Sequence, residues 1–487
     1  MGTSSGSLSW LPASPKIFHG RDAELEEIVG MLLGDSPRAA ILGPGGIGKT
    51  SLAVATLHDE RVIAKYQNRH FVSCDSAITS KDLAAIVASN LCLEPARRLA
   101  QVVIRHLSEG PPCLLVLDNF ETPWEPVDGR IQVEEFLSLL ADIPHVTILI
   151  TMRGAERPGK VRWTRPFLAP LTPLTYIAAR QTFIAIADEI HIDSEIDALL
   201  GLTDNLPLAV NLVANVASSE GCTTALARLK AERTAALSDG CDKRSNLEIS
   251  IELSLSSPRM LSSPRAQELL SLVSLLPDGI SDADLLQSRL PIHDILGCRT
   301  TLVRTSLAYT DHAGRLRVLA PIREYIQSAR PPSLLVVRPL CKHFHDLVQL
   351  WEAFMHRRAL ATDLAPRLVS NLGNMHQVLQ HALDHDRLDI QITVKVIISL
   401  NFLNRLMGRG VTPLILRLPQ VLDQLDDHFL HGCYITERLQ AWQFYTVSSP
   451  ETFIEEGIEH FRVINRPRWE GTYTDSSQSM DSYMPPP

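Results

Sequence analysis

The sequence predicts an α/β domain built on a parallel sheet, followed by helical modules, one of which contains a short hairpin. In residues 38–170, short apolar runs alternate with longer helical patterns, which is typical of crossover units whose parallel sheet is covered on both faces. From Thr172 onward the apolar residues keep helical spacing, apart from one turn flanked by short apolar segments. We therefore expect a three-layer α/β domain followed mainly by helices.

Length and composition limit the classes of protein that remain. A chain of 487 residues is too long for one core, and a typical size of ~150 residues predicts about three domains. With 45% hydrophobic and 21% charged residues the composition is that of a globular protein, and a net charge of −9 argues against polyanion binding by the whole molecule, although a local basic face stays open. The eight cysteines show no C-x-x-C spacing, and no apolar run approaches the ~18 residues of a membrane helix. We expect a cytoplasmic protein without a membrane anchor.

The elements of the α/β domain follow from these patterns in chain order. Short apolar runs predict strands at Ala39–Leu42, Phe71–Ser73, Cys113–Leu117 and Val146–Ile150. Segments with apolar residues on one face predict helices at Lys49–His58, Asp82–Leu91, Ala96–Leu107 and Val133–Leu140.

The rest of the chain is predicted in the same way. Helical spacing predicts, in order, Tyr176–Ala187, Ile196–Leu202, Leu208–Ala217, Thr224–Leu237, Arg265–Leu276, Asp282–Arg289 and Asp294–Val303. A hairpin of Leu307–Tyr309 and Leu316–Leu319 follows, and then a helix that starts at Pro321. Three helices, a two-stranded wing and a closing helix are the order expected of a winged helix.

Polar and proline-rich segments predict the domain boundaries. The segments are a flexible arm (1–15), the α/β domain (16–170), a helical module (171–240), the winged-helix module (245–330), an all-helical module (335–460) and a disordered tail (466–487).

The strongest chemical signal in the chain is the segment Gly43-Pro44-Gly45-Gly46-Ile47-Gly48-Lys49-Thr50. It has the pattern G-x-x-x-x-G-K-[ST] between a predicted buried strand and a predicted helix, which is the context that a phosphate-binding loop requires. Glycines let consecutive backbone N–H groups turn toward a phosphate, and the helix N-terminus adds partial positive charge. We expect this loop and Ser51 to bind a nucleotide, with Lys49 at the β- and γ-phosphates and Thr50 on Mg²⁺.

An apolar strand that ends in an acid supplies the second half of a magnesium site. Asp118 follows Cys113–Leu117, and an Asp at the carboxyl end of a parallel strand can hold the Mg²⁺ water shell beside Thr50. Asn119 stands where many ATPases place a second acid that orients water. Glu121 is the nearest substitute, and a solvated loop acid is an equal alternative. Because Asn119 cannot act as a base, we expect slow hydrolysis.

Arg153 completes the set of candidate catalytic residues, which are Lys49, Asp118 and Arg153. It follows the Val146–Ile150 strand, and an arginine at the end of a strand beside that of Asp118 can sense a γ-phosphate. An ordinary surface arginine is the alternative.

In this order the motifs resemble the NB-ARC type of signalling ATPase, a branch of the STAND P-loop NTPases found in NLR-like receptors and apoptotic scaffolds. The resemblance covers the chain from Phe18 to about Arg330. Phe18-His19-Gly20-Arg21 is similar to the start of the family's G-R-x-x-E-L motif, which implies backbone contact with adenine. Asn205-Leu206-Pro207-Leu208-Ala209 resembles its G-L-P-L-A motif, with Asn205 in place of glycine, and implies that Pro207 packs on the nucleotide. Arg153 matches the family's sensor arginine.

The resemblance implies an α/β P-loop NTPase domain followed by an α-helical lid, a winged-helix domain and a C-terminal all-α module. It also implies ATP or ADP with Mg²⁺, a homo-oligomer in the ATP state and an unknown downstream protein, while effector and repeat domains are expected to be lacking. The family's Met-His-Asp, whose histidine touches ADP, is replaced here by Val318, Leu319 and Ala320. We therefore expect easier ADP exchange, unless Arg317 or Arg323 supplies the contact.

Three functions compete on these observations. The leading one is a nucleotide-dependent conformational switch that hydrolyses ATP slowly. The second is a DNA-associated regulatory ATPase of the AAA+/winged-helix type, favoured by a local arginine excess in residues 291–330 but opposed by the acidic net charge, so that nucleic acid is not the expected partner. The third is a metabolic P-loop kinase, which would leave the helical modules without a purpose.

Overall fold

The computed structural model of the chain describes residues 11–188, 193–238, 246–311, 313–357, 364–386, 389–425, 427–440 and 450–463. The predicted tail at 466–487 lies outside the described residues, as do parts of the predicted arm and of the linker after Ser238. The chain divides into two compact units, the first from residues 1–94 and 100–336, the second from residues 95–99 and 337–487.

A four-stranded parallel sheet forms the centre of the first unit. Its strands are β1 (Arg38–Leu42), β2 (Asn68–Ser73), β3 (Cys113–Asp118) and β4 (Val146–Met152), in the spatial order β1-β4-β3-β2. Every residue of β3 and β4 is buried, so both faces of the central strands are covered. The predicted parallel sheet is confirmed, and all its strands end at the same edge.

Seven helices accompany this sheet in sequence: α1 (Asp22–Leu32), α2 (Lys49–Leu57), α3 (Glu60–Lys65), α4 (Ser80–Asn90), α5 (Leu99–Glu109), α6 (Glu121–Trp124) and α7 (Arg130–Ala141). The prediction that α5 starts at Ala96 is wrong, because the run of buried apolar positions begins only with Leu99, followed by Val103 and Leu107. The short helix α6 places Glu121 directly after the end of β3.

The next helices are α8 (Tyr176–Ala187), α9 (Asp193–Leu200), α10 (Pro207–Glu220), α11 (Cys222–Ser238) and α12 (Asn246–Leu255). They share one apolar core, in which Phe183, Val213 and Leu229 are buried. Ile249 and Leu253 of α12 belong to the same core, although the predicted boundary at 240–245 separates α12 from the helices before it. Packing across a polar linker is a tertiary property that local composition does not reveal.

The first unit ends with helices and one small hairpin. These are α13 (Pro258–Leu261), α14 (Pro264–Ser274), α15 (Asp282–Gln287), α16 (Ile295–Arg304), the antiparallel strands β5 (Tyr309–Thr310) and β6 (Leu316–Arg317), and α17 (Ala320–Ala329). Pro321 stands in the first turn of α17, where a missing N–H costs nothing.

The described part of the second unit is helical apart from its connecting turns. It contains α18 (Leu334–Arg357), α19 (Leu364–Val369), α20 (Leu372–His385), α21 (Ile390–Leu406), a 3₁₀ helix (Pro413–Arg417), α22 (Leu418–Leu422), α23 (His428–Gln440) and α24 (Pro450–Val463). Among the helices that the structure describes, none has the length and apolar character needed to cross a membrane.

Candidate nucleotide-binding site

The predicted phosphate-binding loop connects β1 to α2 at the carboxyl edge of the sheet. Gly43, Gly46 and Gly48 have φ angles of 146°, 75° and 95°, in the region that favours glycine. A Cβ on Gly46 would lie 3.1 Å from Leu208 Cβ. Both the backbone conformation and the close neighbour therefore require glycine at position 46, which the motif itself leaves unspecified.

Lys49 begins α2 and points its ammonium group back at the loop. Its Nζ donates to the carbonyl oxygens of Gly43 (3.0 Å) and Pro44 (2.9 Å), and the residue is only 7% exposed. Burial lowers the pKa of Lys49 from its ordinary value. Since both hydrogen-bond partners are uncharged, this buried cation is suited to an anionic ligand such as a phosphate.

Thr50 and Asp118 meet at the position predicted for magnesium. Thr50 Oγ1 donates to the carboxylate of Asp118 at 2.9 Å, and Thr151 Oγ1 donates to it at 2.6 Å. Asp118 is 4% exposed, and this burial raises its pKa to about 6 against the opposing effect of the two hydroxyls. A carboxylate and a hydroxyl are oxygen ligands of the kind that Mg²⁺ prefers, so Thr50 and Asp118 fit the ion.

Asn119 has a partner that the sequence did not suggest. Its Nδ2 donates to Asp75 Oδ1 at 3.0 Å, and its backbone N–H donates to Thr151 Oγ1 at 3.0 Å. Asp75 also accepts from Ser73 Oγ at 2.8 Å. Asp75 follows the end of β2, next to β3, and an acid at this edge of a parallel sheet was the available signal for it.

Arg153 follows the end of β4, beside the strand of Asp118, as predicted. Its Nε lies 3.3 Å from Glu121 Oε1, and its Nη1 donates to Glu324 Oε2 in α17 at 2.6 Å. Glu121 is 6% exposed, so the alternative of a solvated loop acid does not hold. The arginine bridges an acid after β3 and an acid that is distant in sequence.

The segment Phe18–Arg21 lies against the loop and α8. Phe18 packs on the core that contains β1 and α2, and His19 is half-buried. Gly20 has a φ of 68°, and a Cβ there would lie 2.2 Å from Ala178 Cβ. Arg21 is 5% exposed and donates to the carbonyls of Ile47 (3.2 Å) and Thr172 (2.7 Å). Gly20 and Arg21 thus hold the loop and the segment before α8 together; contact with adenine stays a prediction.

The Asn205–Ala209 segment also reaches the loop. Leu208 donates its backbone N–H to the carbonyl of Gly46 at 3.2 Å, and Pro207 Cγ lies 3.9 Å from the position of a Cβ on Gly48. Asn205 has a φ of 53°, a conformation that asparagine adopts more readily than most residues. Asparagine therefore forms the turn for which the resembling motif uses glycine.

Helix α17, which is far from the phosphate-binding loop in sequence, also lies next to it. Pro321 Cγ lies 3.1 Å from the position of a Cβ on Gly45, and Arg323 Nη2 lies 3.2 Å from Asp75 Oδ1. Leu319, which precedes the helix, is 41% exposed. Asp75, Glu324 and Thr151 were missed by sequence reasoning, because their partners lie far away along the chain.

Comparisons with known proteins show which families and structures the chain is similar to. Residues 8–161 match the family model described as Novel STAND NTPase 1. A segment of 115 residues, 22% of this chain, is 33% identical to the Solanum bulbocastanum protein named "Putative disease resistance protein RGA4". This match spans only 12% of the length of that relative.

Solved structures resemble the chain at low identity. A STAND protein with a tetratricopeptide repeat sensor from Pyrococcus horikoshii is 15% identical, with a TM-score of 0.45, and 95% of this chain and 73% of that chain are covered. The ORC1 protein of Aeropyrum pernix, solved in complex with DNA, is also 15% identical, with a TM-score of 0.35 and coverage of 65% and 94%.

The residues matched by the family model include much of the site described above. The match covers β1, the phosphate-binding loop, Asp118 and Arg153, and it ends before the Asn205–Ala209 motif on which the predicted resemblance also depended. Residues 8–161 thus match a STAND NTPase family model over the segment that holds the phosphate-binding loop, Asp118 and Arg153.

Proposed function

We propose that the chain is a switch controlled by ATP and ADP, in which α17 reports on the nucleotide. The observation that carries the proposal is that one helix contacts three parts of the site. Pro321 faces Gly45, Arg323 pairs with Asp75, and Glu324 pairs with Arg153.

The pairing of Arg153 supports a competition between nucleotide and α17. A terminal phosphate is a stronger anion than the half-exposed Glu324 carboxylate, so a nucleotide that attracts Arg153 weakens its bond to α17. ADP lacks that phosphate and leaves the pair intact. A ligand shifts a conformational equilibrium only by its different affinity for the two states, and Arg153 supplies such a difference here.

The contact that the resembling family assigns to a histidine is proposed to be ionic in this chain. Leu319 is half-exposed and carries no polar group, whereas Arg323 lies 3.2 Å from Asp75. This favours the alternative in which an arginine stabilises the closed state. Arg317 donates to the carbonyl of Pro277 at 2.9 Å at the base of the hairpin, and it acts on Asp75 through its charge.

The finer architecture is part of the proposal. We assign α8–α11 to a lid domain within 171–240, α14–α17 with the hairpin to a winged-helix domain within 245–330, and α18–α24 to a C-terminal all-α module. Mg²⁺-dependent hydrolysis is proposed to be slow, with oligomers in the ATP state, a cytoplasmic location and a downstream protein partner.

The local arginine excess has a use other than DNA binding. Five arginines from the same segment bind groups within the protein. The pairs are Arg299 with Asp282, Arg315 with the carbonyl of Asp278, Arg317 with the carbonyl of Pro277, Arg323 with Asp75, and Arg330 with Glu252. This argues against the DNA-associated alternative, because guanidinium groups that are bound internally contribute little to phosphate binding.

Lys49→Ala tests the proposal in the full chain. We expect loss of ADP and ATP binding, since charge-assisted hydrogen bonds contribute ~1.5–3 kcal/mol each and Lys49 would make several. Isothermal titration gives the affinity, and mass spectrometry identifies the nucleotide that copurifies with the parent.

The matched control is Lys160→Ala, which removes an exposed lysine paired with Glu135 and should leave binding unchanged. Unaltered affinity in Lys49→Ala, or a guanine nucleotide in the purified parent, would contradict the proposal.

A further inference from the structure

The residue after Asp118 cannot supply a base for hydrolysis. Asn119 carries an amide, its side chain is held by Asp75 at 3.0 Å, and its backbone has a φ of 56° fixed by the bond to Thr151. An aspartate in its place would face Asp75 and be repelled. A catalytic acid has to come from another position.

Glu121 is a buried acid with an unused oxygen. It is 6% exposed, its Oε1 pairs with Arg153 at 3.3 Å, and its Oε2 is buried without a hydrogen bond from any residue that the structure describes. Leaving a buried polar atom without a partner costs ~1–3 kcal/mol, more for a charged group, so such atoms call for a specific explanation.

The charges around Glu121 are those of the nucleotide site. Glu121 interacts electrostatically with two cations and two acids of the site, which are Lys49, Arg153, Asp118 and Asp75. Burial raises the pKa of Glu121 from its ordinary value, while Lys49 and Arg153 oppose the rise. A carboxylate with a raised pKa accepts a proton more readily than an exposed one, which is the property of a general base.

We propose that Glu121 is the catalytic base, whose free Oε2 binds the attacking water in place of an acid at position 119. The water oxygen forms a bond to the terminal phosphorus while the bond from this phosphorus to the bridging oxygen breaks. Glu121 takes the proton of the water and later returns it to solvent, and the products are the nucleoside diphosphate and inorganic phosphate. This inference rests on the proposed nucleotide-binding function.

Glu121→Gln in the full chain provides the test, because it keeps the size of the side chain and removes the base. We expect ATP hydrolysis to fall by ~10²–10⁴-fold, the usual contribution of a general base. Affinity for ADP without Mg²⁺ should change by less than about threefold, since the phosphate-binding groups remain. After incubation with ATP and desalting, the variant should retain ATP where the parent retains ADP.

Two further variants separate catalysis from structure. Glu125→Gln alters the neighbouring exposed acid and should behave as the parent does. If Glu121→Gln fails to fold by thermal melting, Glu121→Ala replaces it, because it also removes the carboxylate, and a loss of hydrolysis with ADP binding intact supports the assignment equally. Parent-like hydrolysis in either Glu121 variant would overturn it and leave Glu121 as a partner of Arg153.

The parent protein itself distinguishes the two proposals. ADP binding without hydrolysis of any of the four nucleoside triphosphates would overturn the role of Glu121 and leave the switch standing. Absence of adenine-nucleotide binding, with hydrolysis of another triphosphate that Glu121→Gln abolishes, would do the reverse.

Discussion

Two carboxylates at the ends of neighbouring strands have opposite environments: Asp118 is the last residue of β3, and Asp75 lies just beyond β2. Asp118 is buried with two hydroxyl donors, and its pKa rises to about 6. Asp75 is paired with Arg323, and the guanidinium groups of Arg323 and Arg317 hold its pKa below the ordinary value in spite of burial. Asp75 forms an ion pair with an arginine of the chain, whereas the side chains that hydrogen-bond to Asp118 are uncharged hydroxyl groups.

This difference indicates which acid is prepared for an external ion. A buried carboxylate that lacks a cation is unfavourable when it ionises, and a bound Mg²⁺ relieves that cost. A carboxylate already paired with an arginine gains little from a metal. The Asp118 side of the site is thus suited to the ligand, and the Asp75 side to the contact with α17.

The largest effect is expected from removing the charge at Asp118. Its pKa is 3.8 in the unfolded chain and about 6 in the folded protein, so the folded state binds more protons between these values and stability falls as pH rises through them. Above pH 6 the ionised Asp118 lowers the free energy of unfolding by about 3 kcal/mol, at ~1.4 kcal/mol per pKa unit. Asp118→Asn should therefore stabilise the protein without nucleotide or Mg²⁺ by up to ~3 kcal/mol at pH 7.5, and not at all below pH ~3.8.

Urea unfolding at the two pH values measures this gain, with the exposed Asp35→Asn as the control. Mg²⁺ with ADP should stabilise the parent much more than Asp118→Asn, because the variant lacks the metal-binding carboxylate. Equal stability of parent and variant at pH 7.5 would mean that the two acids do not differ as described.

Removing the cation that pairs with Asp75 should lower the stability of the protein, the opposite of the effect expected for Asp118→Asn. Arg323→Ala leaves Asp75, whose side chain is 14% exposed, without its ion-pair partner, and we expect a loss of ~1–3 kcal/mol at pH 7. Because the pKa of Asp75 is lowered in the folded parent, the pair stabilises the protein above pH 3.8 and this contribution disappears in more acidic solution.

Urea unfolding again gives the free energy, and Arg61→Ala is the matched control. Arg61 pairs with Glu26 at the surface, where side-chain exposures of 44% and 66% lead us to expect little loss of stability. If Arg323→Ala loses no more stability than Arg61→Ala does, the ion pair of Asp75 contributes no more than an exposed surface pair.

The smallest effect is expected at the exposed end of the α17 contact. Glu324→Gln removes a 55% exposed partner of Arg153, so the free-energy change should be below ~1 kcal/mol, equivalent to less than about fivefold in ADP release. Stopped-flow release of a fluorescent ADP analogue measures it. Salt should accelerate release more in the parent than in the variant, since the variant lacks one of the ion pairs that salt screens. The same salt effect in both proteins would exclude a role of Glu324 in ADP release.

Sequence reasoning found the parts of the site whose chemistry depends on adjacent residues. The loop at Gly43–Thr50 and the acid-ended strand at Asp118 were predicted because spacing along the chain fixes them. The position of Arg153 beside that strand was also predicted from the sequence, because the strands of consecutive crossover units end at the same edge of the sheet.

Contacts between distant segments could not be predicted in this way. The partner of Arg153 in α17 is 171 residues away, and that of Arg323 is 248 residues away. Asn119 was seen only as a missing acid, because its bond to Asp75 depends on the pairing of β2 with β3. Packing of α12 with the helices before the linker was missed for the same reason.

The strand order has a consequence for the growing chain. Among the strands that the structure describes, β1 pairs only with β4, and Arg21 reaches across 151 residues to the carbonyl of Thr172. During synthesis from the N-terminus, the phosphate-binding loop is therefore made early but is held in shape only after β4 and Thr172 have left the ribosome. Until then β1 presents an unpaired apolar edge, so nucleotide binding cannot assist the earliest stage of folding, and nascent chains in that interval are the ones most exposed to chaperones and to aggregation.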